Sequence, residues 1–223
     1  ADSSGTAAVS IDSLTAGEQV VTLTATDTDG MTASATVSFT LNEPEPAFCP
    51  GGSADIHTPE DLIPYLPCTE LDGLSLHMTS GIETVSLPLL EDVNGSVYFH
   101  QNNDVTTVEL PALRTVSGHV YFHQNYDIET VSMPSLETVD EYFYFHQNYA
   151  LEYVNASSLE SVGRYLYFSG NELLSTLLLT DSLTSVGEYV SIGGSPLLCE
   201  PDLDWPSISD SVSISGLASC DGE

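Results

Sequence analysis

The sequence predicts a mainly β chain, most of it a β-solenoid of about six 23-residue coils with a short cap helix in front. Three observations carry this. Short apolar-aromatic runs recur every 23 residues: Leu74-Ser75-Leu76-His77, Val97-Tyr98-Phe99-His100, Val120-Tyr121-Phe122-His123, Phe143-Tyr144-Phe145-His146 and Leu166-Tyr167-Phe168-Ser169. A sixth, Val190-Ser191-Ile192-Gly193, follows at 24. Asparagines recur in step at Asn102, Asn125, Asn148 and Asn171. Apolar residues between the runs keep the same phase. Self-similarity at this period marks coils that bury their apolar side only against neighbouring coils.

Each coil has an inward set. In the second coil it is Val97, Phe99, Val105, Val108, Leu110, Leu113 and Val116. In the third it is Val120, Phe122, Ile128, Val131, Met133, Leu136 and Val139. A stacked asparagine amide both donates and accepts along the coil axis, which suits a buried turn. Before the repeats, Thr58-Pro59-Glu60-Asp61 combines an N-cap residue, a first-turn proline and first-turn acids. A short helix over about 59–66 follows.

Residues 1–42 differ from the rest. Ala8 to Ile11, Val20 to Thr26 and Ala33 to Leu41 alternate as half-buried strands, and Asp27-Thr28-Asp29-Gly30 makes a hairpin turn. The pattern "GEQVVTLTATDTDG…ATVSFTLN" resembles the last three strands of an immunoglobulin-like domain of the polycystic-kidney-disease type. Residues 43–48 are then an acidic, proline-bearing linker, and the solenoid runs from 49 to 223. Cys49 and Cys68 flank its start, Cys199 and Cys220 its end. Four cysteines allow three connectivities, and local pairing as 49–68 and 199–220 needs the least reach. Disulfides place the chain outside the cell or on its surface. No signal peptide and no transmembrane-length apolar stretch occurs, so the sequence is expected to be a mature form or a piece of something larger.

The Cys49…Cys68 cap enclosing "HTPEDL", followed by coils such as "VYFHQNNDVTTV", resembles the L domain of growth-factor and insulin receptors and its bacterial relatives. The resemblance covers about 170 of the 223 residues. It implies a right-handed solenoid of leucine-rich-repeat type that binds proteins and carries no catalytic motif.

Charge narrows the partners. Asp and Glu number 33 against 2 Lys plus Arg, a formal net of −31. Nucleic acid and anionic membrane surfaces are repelled by this field. Such acidity suits high salt or calcium-rich surroundings.

Where the first strand of a coil points alternate residues inward, the others face out. Three outward columns result. One reads Gly73, Ser96, His119, Tyr142, Tyr165, Tyr189. The next reads Ser75, Tyr98, Tyr121, Tyr144, Tyr167, Ser191. The third reads His77, His100, His123, His146, Ser169, Gly193. Tyr126 and Tyr149 lie just beyond, so nine of 11 tyrosines fall on or beside this sheet. His57 is expected in a cap loop, and Glu83, Glu109, Glu129 and Glu152 on an opposite, acidic flank. An aromatic face of this size marks a contact site.

The expected function is therefore non-catalytic: protein contact, adhesion or fibre-forming self-assembly through the Tyr/His face. A carbohydrate-binding module on the same face is the alternative, and transition-metal binding by the histidine ladder a second one. Asp27 and Asp29 are candidate Ca²⁺ ligands; no other cofactor is expected. Asn94-Gly95-Ser96 and Asn155-Ala156-Ser157 fit the glycosylation triplet. No P-loop, nucleophile elbow or Cys/His zinc pattern is found, and an open solenoid face lacks the enclosure catalysis needs.

Overall fold

The computed structural model describes residues 17–26, 29–41, 48–180, 182–199, 201 and 203–218. The chain divides into two compact units, Ala1–Ala47 and Phe48–Glu223. In the first, Gly17–Thr26 pairs antiparallel with Thr32–Leu41, Thr26 opposite Thr32. Gly30, at φ +81°, supplies left-handed backbone in the connection. The expected strand at residues 8–11 lies outside the described residues, as does Asp27.

The second unit is a β-solenoid of about seven turns. A full coil contributes one strand to each of three parallel sheets. The longest sheet has eight strands in chain order: Ser53–Ile56, Gly73–His77, Val97–His100, Val120–His123, Tyr142–His146, Tyr165–Ser169, Tyr189–Ser195 and Val212–Leu217. A five-stranded sheet runs from Thr84–Ser86 to Thr176–Leu178, and a six-stranded one from Glu70–Leu71 to Ser185–Val186. Cα partners are equivalent positions one coil apart: Tyr98, Tyr121, Tyr144 and Tyr167 are successive neighbours.

Registry fills the interior. Both inward sets named above are buried throughout, none more than 1% exposed. Phe99, Phe122, Phe145 and Phe168 form an internal stack with ring centroids 4.6, 4.8 and 4.9 Å apart. The asparagine column is fully buried and bonded along the axis. Asn125 Oδ1 accepts from the Asn102 backbone N–H at 3.1 Å and from Asn102 Nδ2 at 2.9 Å, while Asn125 Nδ2 donates to the Phe99 carbonyl at 3.0 Å. Asn148 and Asn171 repeat the pattern. Thr79 starts the ladder, its N–H and hydroxyl both donating to Asn102 Oδ1.

The sheet is longer than the six predicted rungs. Ser53–Ile56 pairs with Gly73–His77 ahead of the first recognisable coil, and Val212–Leu217 pairs with Tyr189–Ser195 behind the last. The cap helix is Pro59–Leu62, continued by a 3₁₀ turn at Ile63–Tyr65. The Asp61 carboxylate accepts from the His57 and Thr58 N–H groups at 3.0 and 2.9 Å, which holds its pKa below the usual carboxylate value. The Cys49–Cys68 disulfide ties the two sides of this cap. Cys199 is also disulfide-bonded, and Cys220, its expected partner, lies outside the described residues.

Candidate interaction face

Strand alternation puts the expected columns on the outer side of the eight-stranded sheet. Tyr98, Tyr121, Tyr144 and Tyr167 stack in parallel, with centroids 5.0, 4.8 and 4.8 Å apart. His77, His100, His123 and His146 stack beside them at 5.1, 5.2 and 5.2 Å. His119, Tyr142, Tyr165 and Tyr189 make the third stack at 4.4, 4.7 and 4.3 Å. Tyr126 and Tyr149 pair at 5.5 Å and are 43% and 39% exposed. Every tyrosine and histidine predicted for the face is therefore on or beside it. The rings of the three columns are only partly exposed, because each covers its neighbours.

The columns are also bonded sideways. The Tyr121 hydroxyl lies 3.1 Å from His123 Nδ1, and that of Tyr144 lies 2.9 Å from His146 Nδ1. Burial pushes the Tyr144 phenol up to about 12 and raises Tyr121 as well, so both stay protonated and donate. Burial lowers the pKa of His100, His123 and His146; neighbouring imidazole charge adds to this at His100 and His123. At neutral pH His100, His123, His146, Tyr121 and Tyr144 thus form an uncharged, hydrogen-bonded aromatic centre of this face on a strongly acidic protein. With rungs about 4.8 Å apart, eight of them span about 34 Å.

His57 lies, as expected, in the cap loop, in the bend between Ser53–Ile56 and the helix Pro59–Leu62. It directly follows Ile56, which pairs with Leu76, and so stands beside His77. Its Nδ1 lies 3.3 Å from the His77 carbonyl and its Nε2 3.5 Å from Asp55 Oδ2. The position was readable only once Ser53–Ile56 was known to be a rung.

Charge collects elsewhere. Glu83, Glu109, Glu129 and Glu152 are exposed on or beside the five-stranded sheet. Arg114 binds Glu137 at 2.9 Å across one coil. Arg164 borders the face, held by Glu188 at 2.6 Å and Glu141 at 3.3 Å, with its guanidinium carbon 5.1 and 5.3 Å from the Tyr142 and Tyr165 ring centroids. Among the described residues, no three His, Cys, Asp or Glu side chains converge as a metal site would require. Of the candidate calcium ligands, Asp27 is outside the described residues and Asp29 sits in the hairpin connection.

The parallel solenoid with a disulfide-tied cap defines a repeat domain whose coils build one continuous sheet face. The receptor L-domain family model matches residues 67–184, more than half of the sequence, and the chain belongs to that family. Receptor L domains are non-enzymatic, extracellular ligand-binding domains. Comparison with curated proteins and with solved structures gives no match. No helix among the described residues is long and apolar enough to cross a membrane.

Proposed function

We propose that this chain is a surface protein that binds a protein partner through its Tyr/His face. The carrying observation is the alignment of three ring columns on one parallel sheet, in a molecule of net charge −31. Tyrosine suits such contacts because a rigid ring supplies area and the hydroxyl a polar end. Two copies meeting face to face at low ionic strength would be opposed by their like charge. That favours a different protein over self-assembly, which is expected only where salt or divalent ions screen the field. On the same reading, residues 1–42 are the end of an immunoglobulin-like module that carries the solenoid at the surface.

The carbohydrate alternative gains less support. A sugar packs on ring faces, and within these columns the rings spend their faces on one another. The test compares the native chain with Tyr121→Ala/Tyr144→Ala on arrays of extracellular protein domains and of glycans. The expected result is protein ligands whose binding falls at least about tenfold in the double variant, with the glycan array silent. Protein ligands held equally by both chains would overturn the reading.

A further inference from the structure

The tyrosine column stops at both ends, and the ends differ. In register along the axis, its positions read Asp55, Ser75, Tyr98, Tyr121, Tyr144, Tyr167, Ser191, Ser213. Tyr98 lies parallel to Tyr121, within 2°, so its second face is turned towards the rung of Ser75. No ring follows there, and among the described residues no cation covers it; the cation–π contacts they make belong to Arg164. Beside Ser75 along its strand stand Gly73, which has no side chain, and His77. One rung further is Asp55, its side chain 66% exposed with His57 Nε2 3.5 Å away. Two rung spacings make about 10 Å between the Tyr98 and Asp55 rows. That is room for one planar group stacked on the ring, with the carboxylate about 5 Å beyond.

We infer that this notch is a guanidinium site: it takes an arginine side chain of the partner protein, between the Tyr98 ring and the Asp55 carboxylate, over Ser75. The inference rests on the protein-binding reading and specifies the partner's chemistry. A flat cation stacks on the ring while the carboxylate one row beyond attracts its charge, whereas a lysine ammonium offers the ring no planar face. The chain already uses this combination internally, where Arg164 sits against Tyr142 and Tyr165 between Glu141 and Glu188. Charge points the same way. With 33 acids and two arginines, both committed to internal ion pairs, a complementary partner must bring the positive charge. The far end of the column, Tyr167 facing Ser191 and Ser213, has no acid in line and serves as a control.

The test is titration of the whole chain with hexa-arginine and hexa-lysine peptides at physiological salt, where diffuse attraction is shared by both probes. Hexa-arginine is expected to bind several-fold tighter. Asp55→Asn and Ser75→Tyr should each weaken it about tenfold and erase the preference, while Tyr167→Ala leaves the preference intact. Ser75→Tyr prolongs the native stack, so circular dichroism should show it folded. Equal affinity of the two peptides for the native chain would overturn the site, and so would an arginine preference that survives Ser75→Tyr. Loss of the site alone leaves the response of protein ligands to Tyr121→Ala/Tyr144→Ala untouched, so the two readings fail separately.

Discussion

The Tyr144 hydroxyl lies 2.9 Å from Nδ1 of His146, two residues along the same strand, and Tyr121 repeats the contact with His123 at 3.1 Å. The phenol donates and the neutral imidazole accepts, which leaves the imidazole proton on Nε2. Protonating Nδ1 removes that acceptor and adds charge to a column of stacked imidazoles.

Acid should therefore weaken the fold through this face. Burial first, and neighbouring imidazoles second at His100 and His123, hold His100, His123 and His146 below their ordinary value of 6.5. The folded chain binds these protons more weakly than the unfolded chain. Stability is then full above about pH 6.5 and is lost as pH falls through the lowered values. The midpoint of urea unfolding should drop more between pH 7.5 and 5 in the native chain than in His100→Gln/His123→Gln/His146→Gln. The carboxylates are common to both, so parallel pH profiles would refute the assignment.

Asn125→Ala should be among the most damaging single changes. It strips the acceptor from the Asn102 amide and backbone N–H and the donor from the Phe99 carbonyl, all in a fully buried column. At about 1–3 kcal/mol for each unsatisfied group, the loss should reach about 3 kcal/mol or more. Equilibrium denaturation measures it; a cost under about 1 kcal/mol would mean that water or a shifted backbone replaces the amide.

Gln124 holds φ at +55°, as do Gln101 and Gln147, while Gly170, Gly194 and Gly216 occupy the equivalent place in later coils at +62° to +67°. A left-handed residue other than glycine costs about 1–2 kcal/mol. Here the cost is offset by the side-chain ladder, in which Gln101 Nε2 donates to Gln124 Oε1 and Gln124 Nε2 to Gln147 Oε1, each at 3.3 Å. Gln124→Gly should consequently lie within about 1 kcal/mol of the native chain. Gln124→Val, β-branched at positive φ, should cost about 2 kcal/mol or more. Thermal unfolding of the pair checks the ranking.

The Cys49–Cys68 bridge spans 19 residues of cap. Closing a loop of that size is worth about 3 kcal/mol of unfolded-state entropy. For a chain of this length that corresponds to a melting temperature about 6–12 °C lower in Cys49→Ser/Cys68→Ser. Hydrogen exchange should accelerate first in Ser53–Ile56, the rung nearest the lost bridge.

The middle of the solenoid was legible because repetition doubles as a check: a residue that is apolar in every coil at one phase has to be inside. Its ends were not. Ser53-Ala54-Asp55-Ile56 is too short and too small in its side chains to show the alternation, although Ala54 and Ile56 are both buried. In Val212–Leu217 the equivalents of Val190 and Ile192 are Val212 and Ile214, yet Val212 is 38% exposed. Missing the first of these rungs cost the placement of Asp55 at the foot of the tyrosine column. Glutamine gave no hint of left-handed backbone; the signal lay in the glycines of later coils at the same phase. Nor does the sequence signal that a methyl at Gly163 would overlap the Asp140 carbonyl.

Registry at 23 residues has one further consequence. In the Tyr98–Tyr167 and His100–His146 rows like pairs with like, so removing one whole internal period, residues 120–142 for instance, would bring partners of the same kind together again and shorten these rows by one division. The molecule is in this sense a ruler. The length over which it can grip another protein is set by copy number, and can change by duplication or loss without any new side-chain chemistry.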